Sequence, residues 1–205
     1  MACQEKTSLH LLLSRFPRYL LLPIMLYNIH PTTAAVTFVA MVLFFRSPDR
    51  LPREVNNFSN VYSPADGHVL DIISTPDAER ISIFLSVFDV HVQYSPINGT
   101  VVKQEYIKGQ FHPAYLTEKS KYNERLLTHI RRSDGKIVTV MQIAGQIANR
   151  IESFVRPGDV VSTGCRLGII KFGSRVDIIV PKGAKTHMRI GDYVTAGDTV
   201  LMTIE

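Results

Sequence analysis

A serine preceded by glycine, Gly173-Ser174, stands between two apolar runs in CRLGIIKFGSRVDIIVP (165–181). On spacing alone the pair reads as a hairpin turn, with glycine supplying the permissive backbone and serine closing the turn. His91 lies near the end of FLSVFDVHV (84–92), a strand-like run in which Asp89 and His91 share a face if the strand is regular. Histidine is the side chain best matched to proton transfer near neutral pH. Asp66, in SPADG (63–67), has the setting of a turn aspartate that bonds its own backbone. His10, His30, His68, His129 and His187 lack comparable company. His112, in GQFHPAY (109–115), belongs to a segment expected to form a loop over the site; its aromatic residues Phe111 and Tyr115 either face lipid or substrate or, the preferred reading, are buried as plain loop.

These residues need a scaffold, and from Val61 onward the pattern is one of short strands punctuated by Pro and Gly. Two internal echoes define it. SPADGHVLDI (63–72) and SPINGTVVKQ (95–104) share Ser-Pro, then Gly, then a β-branched residue, a turn feeding a strand. VRPGDVVSTGCRL (155–167) and MRIGDYVTAGDTV (188–200) share Arg, Gly-Asp, Val and a later Gly. The second echo resembles the half-repeats of biotinyl and lipoyl carrier domains. The expected fold is mainly β, a flattened barrel or sandwich of antiparallel strands with such hairpin repeats. A helix is expected only over residues 115–127.

The N-terminal region has a different composition. Residues 9–26 are leucine-rich but interrupted by Arg15, Pro17, Arg18 and Pro23, and residues 31–45 form a cleaner apolar run. Each falls short of the roughly 20 uninterrupted apolar residues that cross a bilayer as a helix. Basic residues flank both runs, so charge does not orient a single pass. A shallow or re-entrant pair of helices on the cytoplasmic face of the cell membrane is the expectation. FFRSPDRLP (44–52) then leads out as an extended connector. The domain division expected is 1–52 and 53–205.

Composition narrows the alternatives. A net charge of +5, with the cations dispersed, argues against nucleic acid and fits an anionic membrane surface or a solvated basic face. The two cysteines, Cys3 and Cys165, sit in unrelated settings, with no disulfide framework and no metal-ligand spacing. No metal is expected.

FFRSPDRLP, SPADG, FLSVFDVHV, NER (123–125), QIAG (142–145) and FGSR (172–175) occur in that order. Together they resemble the short form of the phosphatidylserine decarboxylases, self-cleaving pyruvoyl enzymes, over nearly all of the chain from Phe44. The resemblance implies non-hydrolytic scission between Gly173 and Ser174, giving a large chain (1–173) and a small chain (174–205) that remain together. Ser174 attacks the Gly173 carbonyl to form an ester, and β-elimination leaves a precursor of a pyruvoyl group in place of Ser174. That cofactor forms a Schiff base with the amine of a serine phospholipid, the first step in making phosphatidylethanolamine in phospholipid biosynthesis.

By position the resemblance implies that Asp66 supports a histidine in the self-cleavage machinery, and that His91 serves in decarboxylation and as the base that activates Ser174. Longer family members carry a second histidine where this chain has Tyr94, so one histidine is left for two tasks. Asn123, Glu124 and Arg125 either position the substrate phosphate or lie on a solvated face. The substrate's tails, including those of an archaeal ether lipid, and any higher oligomer stay open. The competing class is a non-catalytic, membrane-tethered lipoyl-like carrier or adaptor. Such a carrier needs a lysine at a hairpin tip, and Lys171, followed by Phe-Gly-Ser, is the nearest candidate.

Overall fold

The structure, a computed structural model, describes residues 21–27, 30–50, 58–146, 151–171 and 174–205. Among the described residues the division falls after Pro48, giving two compact units, 21–48 and Asp49–Glu205.

In the first unit α1 (Leu21–Tyr27) and α2 (Pro31–Phe44) pack on each other. Proline in the first turn of α2 fits there because that N–H has no intrahelical partner. Val36, Phe38, Val39 and Leu43 of α2 are exposed. At 14 residues α2 spans about 21 Å, and no described helix is long and apolar enough to cross a membrane. The expectation for residues 9–20 lies outside the described residues.

The second unit is mainly β, and every pairing among its named strands is antiparallel, as expected. Eight strands form one sheet: β2 (Gly67–Ser74), β3 (Ala78–Leu85), β5 (Gly99–Ile107), β6 (Arg125–Arg131), β7 (Ile137–Ala144), β9 (Val160–Val161), β11 (Ser174–Pro181) and β13 (Tyr193–Val194). Their order is β13-β2-β3-β11-β7-β6-β5-β9. Two three-stranded sheets complete the unit. One orders β1 (Asn60–Tyr62), β14 (Val200–Thr203) and β12 (Lys185–Thr186), and the other β4 (Val92–Tyr94), β10 (Arg166–Ile170) and β8 (Ile151–Ser153). The core takes one face of the central strands, including Ile83, Leu85, Val140, Ala144, Val176 and Ile178.

Two expectations need correction. The helix looked for over 115–127 is only the four-residue α3 (Thr117–Ser120), because Arg125 to Leu127 are paired in β6 with neighbours on both sides. Cys165, buried in the core, is disulfide-bonded, with its partner outside the described residues.

The sequence echoes are structural. Tyr62 N–H donates to Pro96 O (3.0 Å) and Tyr94 N–H to Pro64 O (2.8 Å). Val69 and Gly191 bind the same turn that Val101 and Gly158 bind in the other copy: Val69 N–H to Asp192 O and Gly191 N–H to Val69 O, against Val101 N–H to Asp159 O and Gly158 N–H to Val101 O. Val194 pairs with Gly67 and Val161 with Gly99. A side chain at either glycine would collide with a carbonyl, Phe84 O at 2.2 Å from Gly67 and Arg131 O at 2.4 Å from Gly99. The first copy of one echo therefore packs with the second copy of the other, giving two similar halves at the two edges of the large sheet.

Candidate active site

β11 is the inner strand that carries the serine, and its position follows from pairing on both sides. Ser174 lies opposite Leu85 of β3 and Ala144 of β7. Alternation along β11 turns Ser174, Val176, Ile178 and Val180 to the core and Arg175 and Asp177 to the other face. Ser174 is fully buried, and its hydroxyl makes no hydrogen bond among the described residues. Leaving a hydroxyl in that condition costs about 1–3 kcal/mol, which alanine would avoid. A serine kept there without a structural partner fits a residue that is consumed in chemistry. Gly173 lies outside the described residues.

His91 stands at the head of β4, also fully buried. Its ring Nδ1 is 2.9 Å from Asp89 O. Its carbonyl accepts from Ile170 N–H (3.3 Å) and from Gln93 Nε2 (2.6 Å). Gln93 Oε1 in turn accepts from Gln142 Nε2 of β7 at 2.7 Å. This relay ties the histidine's backbone to the strand flanking Ser174. β10 ends at Ile170, whose N–H reaches His91 O, and β11 begins at Ser174, so the candidate base and the candidate nucleophile adjoin the two ends of the short stretch 171–173.

Residues 84–92 are not one regular strand. β3 stops at Leu85, and Asp89 closes a turn by accepting from the N–H and hydroxyl of Ser86, both at 2.7 Å. Its other oxygen accepts from Tyr193 OH at 3.0 Å. Asp89 thus holds the turn that aims His91 inward.

Asp66 is buried and accepts from Arg50 Nη2 (2.6 Å) and from Ala196 N–H (2.8 Å). The Arg50 guanidinium also lies 5.9 Å from the Tyr94 ring centre. Asp66, Arg50 and Tyr94 form one cluster, with Tyr94 wholly buried in the role of a packing residue.

Sequence reading singled out Ser174, His91 and Asp66 but missed several buried polar groups around them. Arg175, next to the serine, makes two short bonds to Asp177 (Nε to Oδ1 2.6 Å, Nη2 to Oδ2 2.7 Å) and reaches Ser82 and Ser120. An Arg-x-Asp pair in a strand shares a face, so that signal was available. Asn123 accepts from His112 N–H (2.8 Å) and donates to His112 O (2.7 Å) and Ala144 O (2.8 Å). Asn123 and Glu124 are buried, so neither lies on a solvated face. Lys171 is also buried, 3.5 Å from Glu152, which is no setting for a carrier lysine at an exposed tip. Among the described residues no group of His, Cys, Asp and Glu could hold a metal ion.

The family model for phosphatidylserine decarboxylase matches residues 38–202. The chain belongs to the phosphatidylserine decarboxylase family. It is 42% identical over 174 residues to a phosphatidylserine decarboxylase proenzyme of Burkholderia ambifaria, covering 82% of this chain and 80% of that one. The proenzyme of Burkholderia pseudomallei is 43% identical over 170 residues, covering 80% and 77% of the two chains.

Proposed function

We propose that this protein is a carboxy-lyase that converts phosphatidylserine to phosphatidylethanolamine after cutting its own chain between Gly173 and Ser174. The observation that carries the reading is the buried, uncommitted hydroxyl of Ser174 at the head of β11, in a chain of this family. In processing, the Ser174 oxygen attacks the Gly173 carbonyl carbon, and His91 takes the hydroxyl proton. The Gly173–Ser174 C–N bond breaks as the ester forms, the freed Ser174 amine taking a proton. Loss of the Ser174 α-proton then expels the Gly173 carboxylate, and the dehydroalanine left behind, as its imine tautomer, loses ammonia to water to give the ketone. A pyruvoyl group left at position 174 supplies the ketone that takes up the substrate amine and the electron sink for the pair released with carbon dioxide. Leu85 and Ala144 flank position 174, and the core buries it. His91, with its carbonyl fixed by Ile170 and Gln93, holds and returns protons at that position. Asp66, held by Arg50, steadies the turn behind Tyr94 and with it the strand that carries His91.

The large and small chains stay associated as a heterodimer. The exposed apolar face of α2 and the cationic flanks of residues 9–45 support peripheral or shallow insertion at the cytoplasmic face of the cell membrane. The lipid tails then never leave the bilayer.

Intact-mass spectrometry of the purified protein beside Ser174→Ala tests the reading. Two fragments, one ending at Gly173 and one starting with pyruvoyl in place of Ser174, both absent from the variant, are expected. One unmodified full-length mass in both folded samples overturns it.

A further inference from the structure

Most of the large apolar side chains that the unit Asp49–Glu205 exposes, among its described residues, cluster at one end of the eight-stranded sheet. Cross-strand register defines that end. Tyr193, His68, Phe84, Arg175, Ile143, Arg125 and Ile107 form a continuous transverse row, and Ser174 sits in the row beside it with Leu85 and Ala144. Two loops rise from this row. Residues 86–90 continue β3 directly past the partner of Ser174 and carry Val87 and Phe88, the latter 83% exposed. Residues 108–124 join β5 to β6 and carry Phe111, Tyr115, Leu116 and Tyr122, all exposed.

The second loop is fastened to the sheet by the Asn123 bond to Ala144 O, by Arg175 reaching Ser120, and by Tyr115 set edge-on to Phe84 at 6.0 Å. The aromatic side chains are therefore presented by an anchored loop and are not folded back into the core. Exposed apolar side chains gathered in one patch mark a surface that meets something other than water.

Charge selects the occupant. Lys108 and Lys119 are exposed, whereas Asp89 and Glu124 are buried. The exposed acid in the second loop, Glu118, is paired with Lys121 at 2.9 Å. Aromatic side chains interleaved with lysine suit the boundary between headgroups and acyl chains of an anionic bilayer. A second copy docking through the same face would set these lysines against their own counterparts.

We propose that loops 86–90 and 108–124 are the lipid-docking surface of the catalytic unit, seating in an anionic bilayer so that a headgroup reaches Ser174 while its tails stay in the membrane. The inference rests on the phosphatidylserine reading for its substrate, but its test does not require turnover.

The chain contains no tryptophan, so single substitutions report on single places. Phe88→Trp and Tyr115→Trp are made separately in the full-length Ser174→Ala chain, with Val160→Trp as the control. Val160 pairs with Thr100, about 20 Å along β5 from Ile107. Vesicles of mixed phosphatidylcholine and phosphatidylglycerol with brominated acyl chains serve as the probe. Blue-shifted emission and quenching several-fold stronger at 88 and 115 than at 160, and weaker in vesicles of phosphatidylcholine alone, are expected. Absence of vesicle binding, equal quenching at all three places, or quenching confined to 160 overturns the surface. A blue shift that grows with protein concentration without vesicles assigns the face to a second copy and also overturns it. Carbon dioxide release from phosphatidylserine by the unsubstituted protein is measured separately. Its absence with the quenching pattern intact overturns the substrate reading alone.

Discussion

Asp66 and Asn98 occupy matching places in the two halves of the catalytic unit. Asp66 Oδ1 accepts from Ala196 N–H, and Asn98 Oδ1 accepts from Thr163 N–H, each at 2.8 Å. The turn needs an oxygen there, and the amide of Asn98 supplies it without charge. What is particular to Asp66 is the second oxygen and its bond to Arg50. Asp66→Asn should keep the turn and lose about 1–3 kcal/mol through the weakened Arg50 bond. If the family role of the carboxylate holds here, processing of this variant also slows well beyond that of an equally destabilised core variant, which timed gels of freshly refolded protein would reveal. His91→Ala should slow processing by about 100-fold or more, the usual contribution of a positioned base. Replacing Arg175 by Met leaves Asp177 buried without its main partner and should cost about 3–5 kcal/mol in urea unfolding. The double change with Asp177→Leu should recover most of that. Ser174, His91 and Asp66 could be singled out because each sits in a short motif, and the structure buries all three. The Gln142–Gln93–His91 relay was not, since its members come from strands whose proximity is a property of the folded sheet.

At the scale of elements, β11 is gripped by β3 and β7 along most of its length. Ile178→Ala, in the middle of it, should cost about 2–5 kcal/mol, read from the urea midpoint at unchanged slope. The loop 108–124 depends more on one side chain. Asn123→Ala removes three hydrogen bonds that hold His112 and Ala144 together. Amide exchange across 108–124 should rise while that of β11 stays slow, and KM for vesicle substrate should rise more than kcat falls. Strand positions were readable from Gly and Pro punctuation and from the paired echoes. The loop was misread in part because residues 115–127 have helix-compatible composition, and only the pairing of β6 with both β5 and β7 draws Arg125 to Leu127 into a strand.

Taken whole, the catalytic unit is two similar halves, each assembled from distant parts of the sequence. The match extends to the turns, where Arg156 N–H donates to Asp159 and Arg189 N–H to Asp192 at 2.8 and 2.7 Å. Both echoes were visible in the sequence, but which copy joins which was not, because similarity alone does not encode pairing. Residues 174–205 provide β11, β12, β13 and β14; β12 pairs with β14, but β11, β13 and β14 pair with β3, β7, β2 and β1, which all precede Gly173. The two fragments should therefore co-elute in size-exclusion chromatography without denaturant and separate only in concentrated urea.

That interleaving also sets an order in time. Residues 188–200 must return across more than 100 positions of chain to meet residues 63–72, a long-range closure that is slow to form. Ser174 acquires its neighbours Leu85 and Ala144 only when the same sheet is assembled. A chain that cut itself earlier at the proposed bond would release its last 32 residues before they had anywhere to bind, so the proposed cut would work as a timestamp, struck on molecules that have already finished folding.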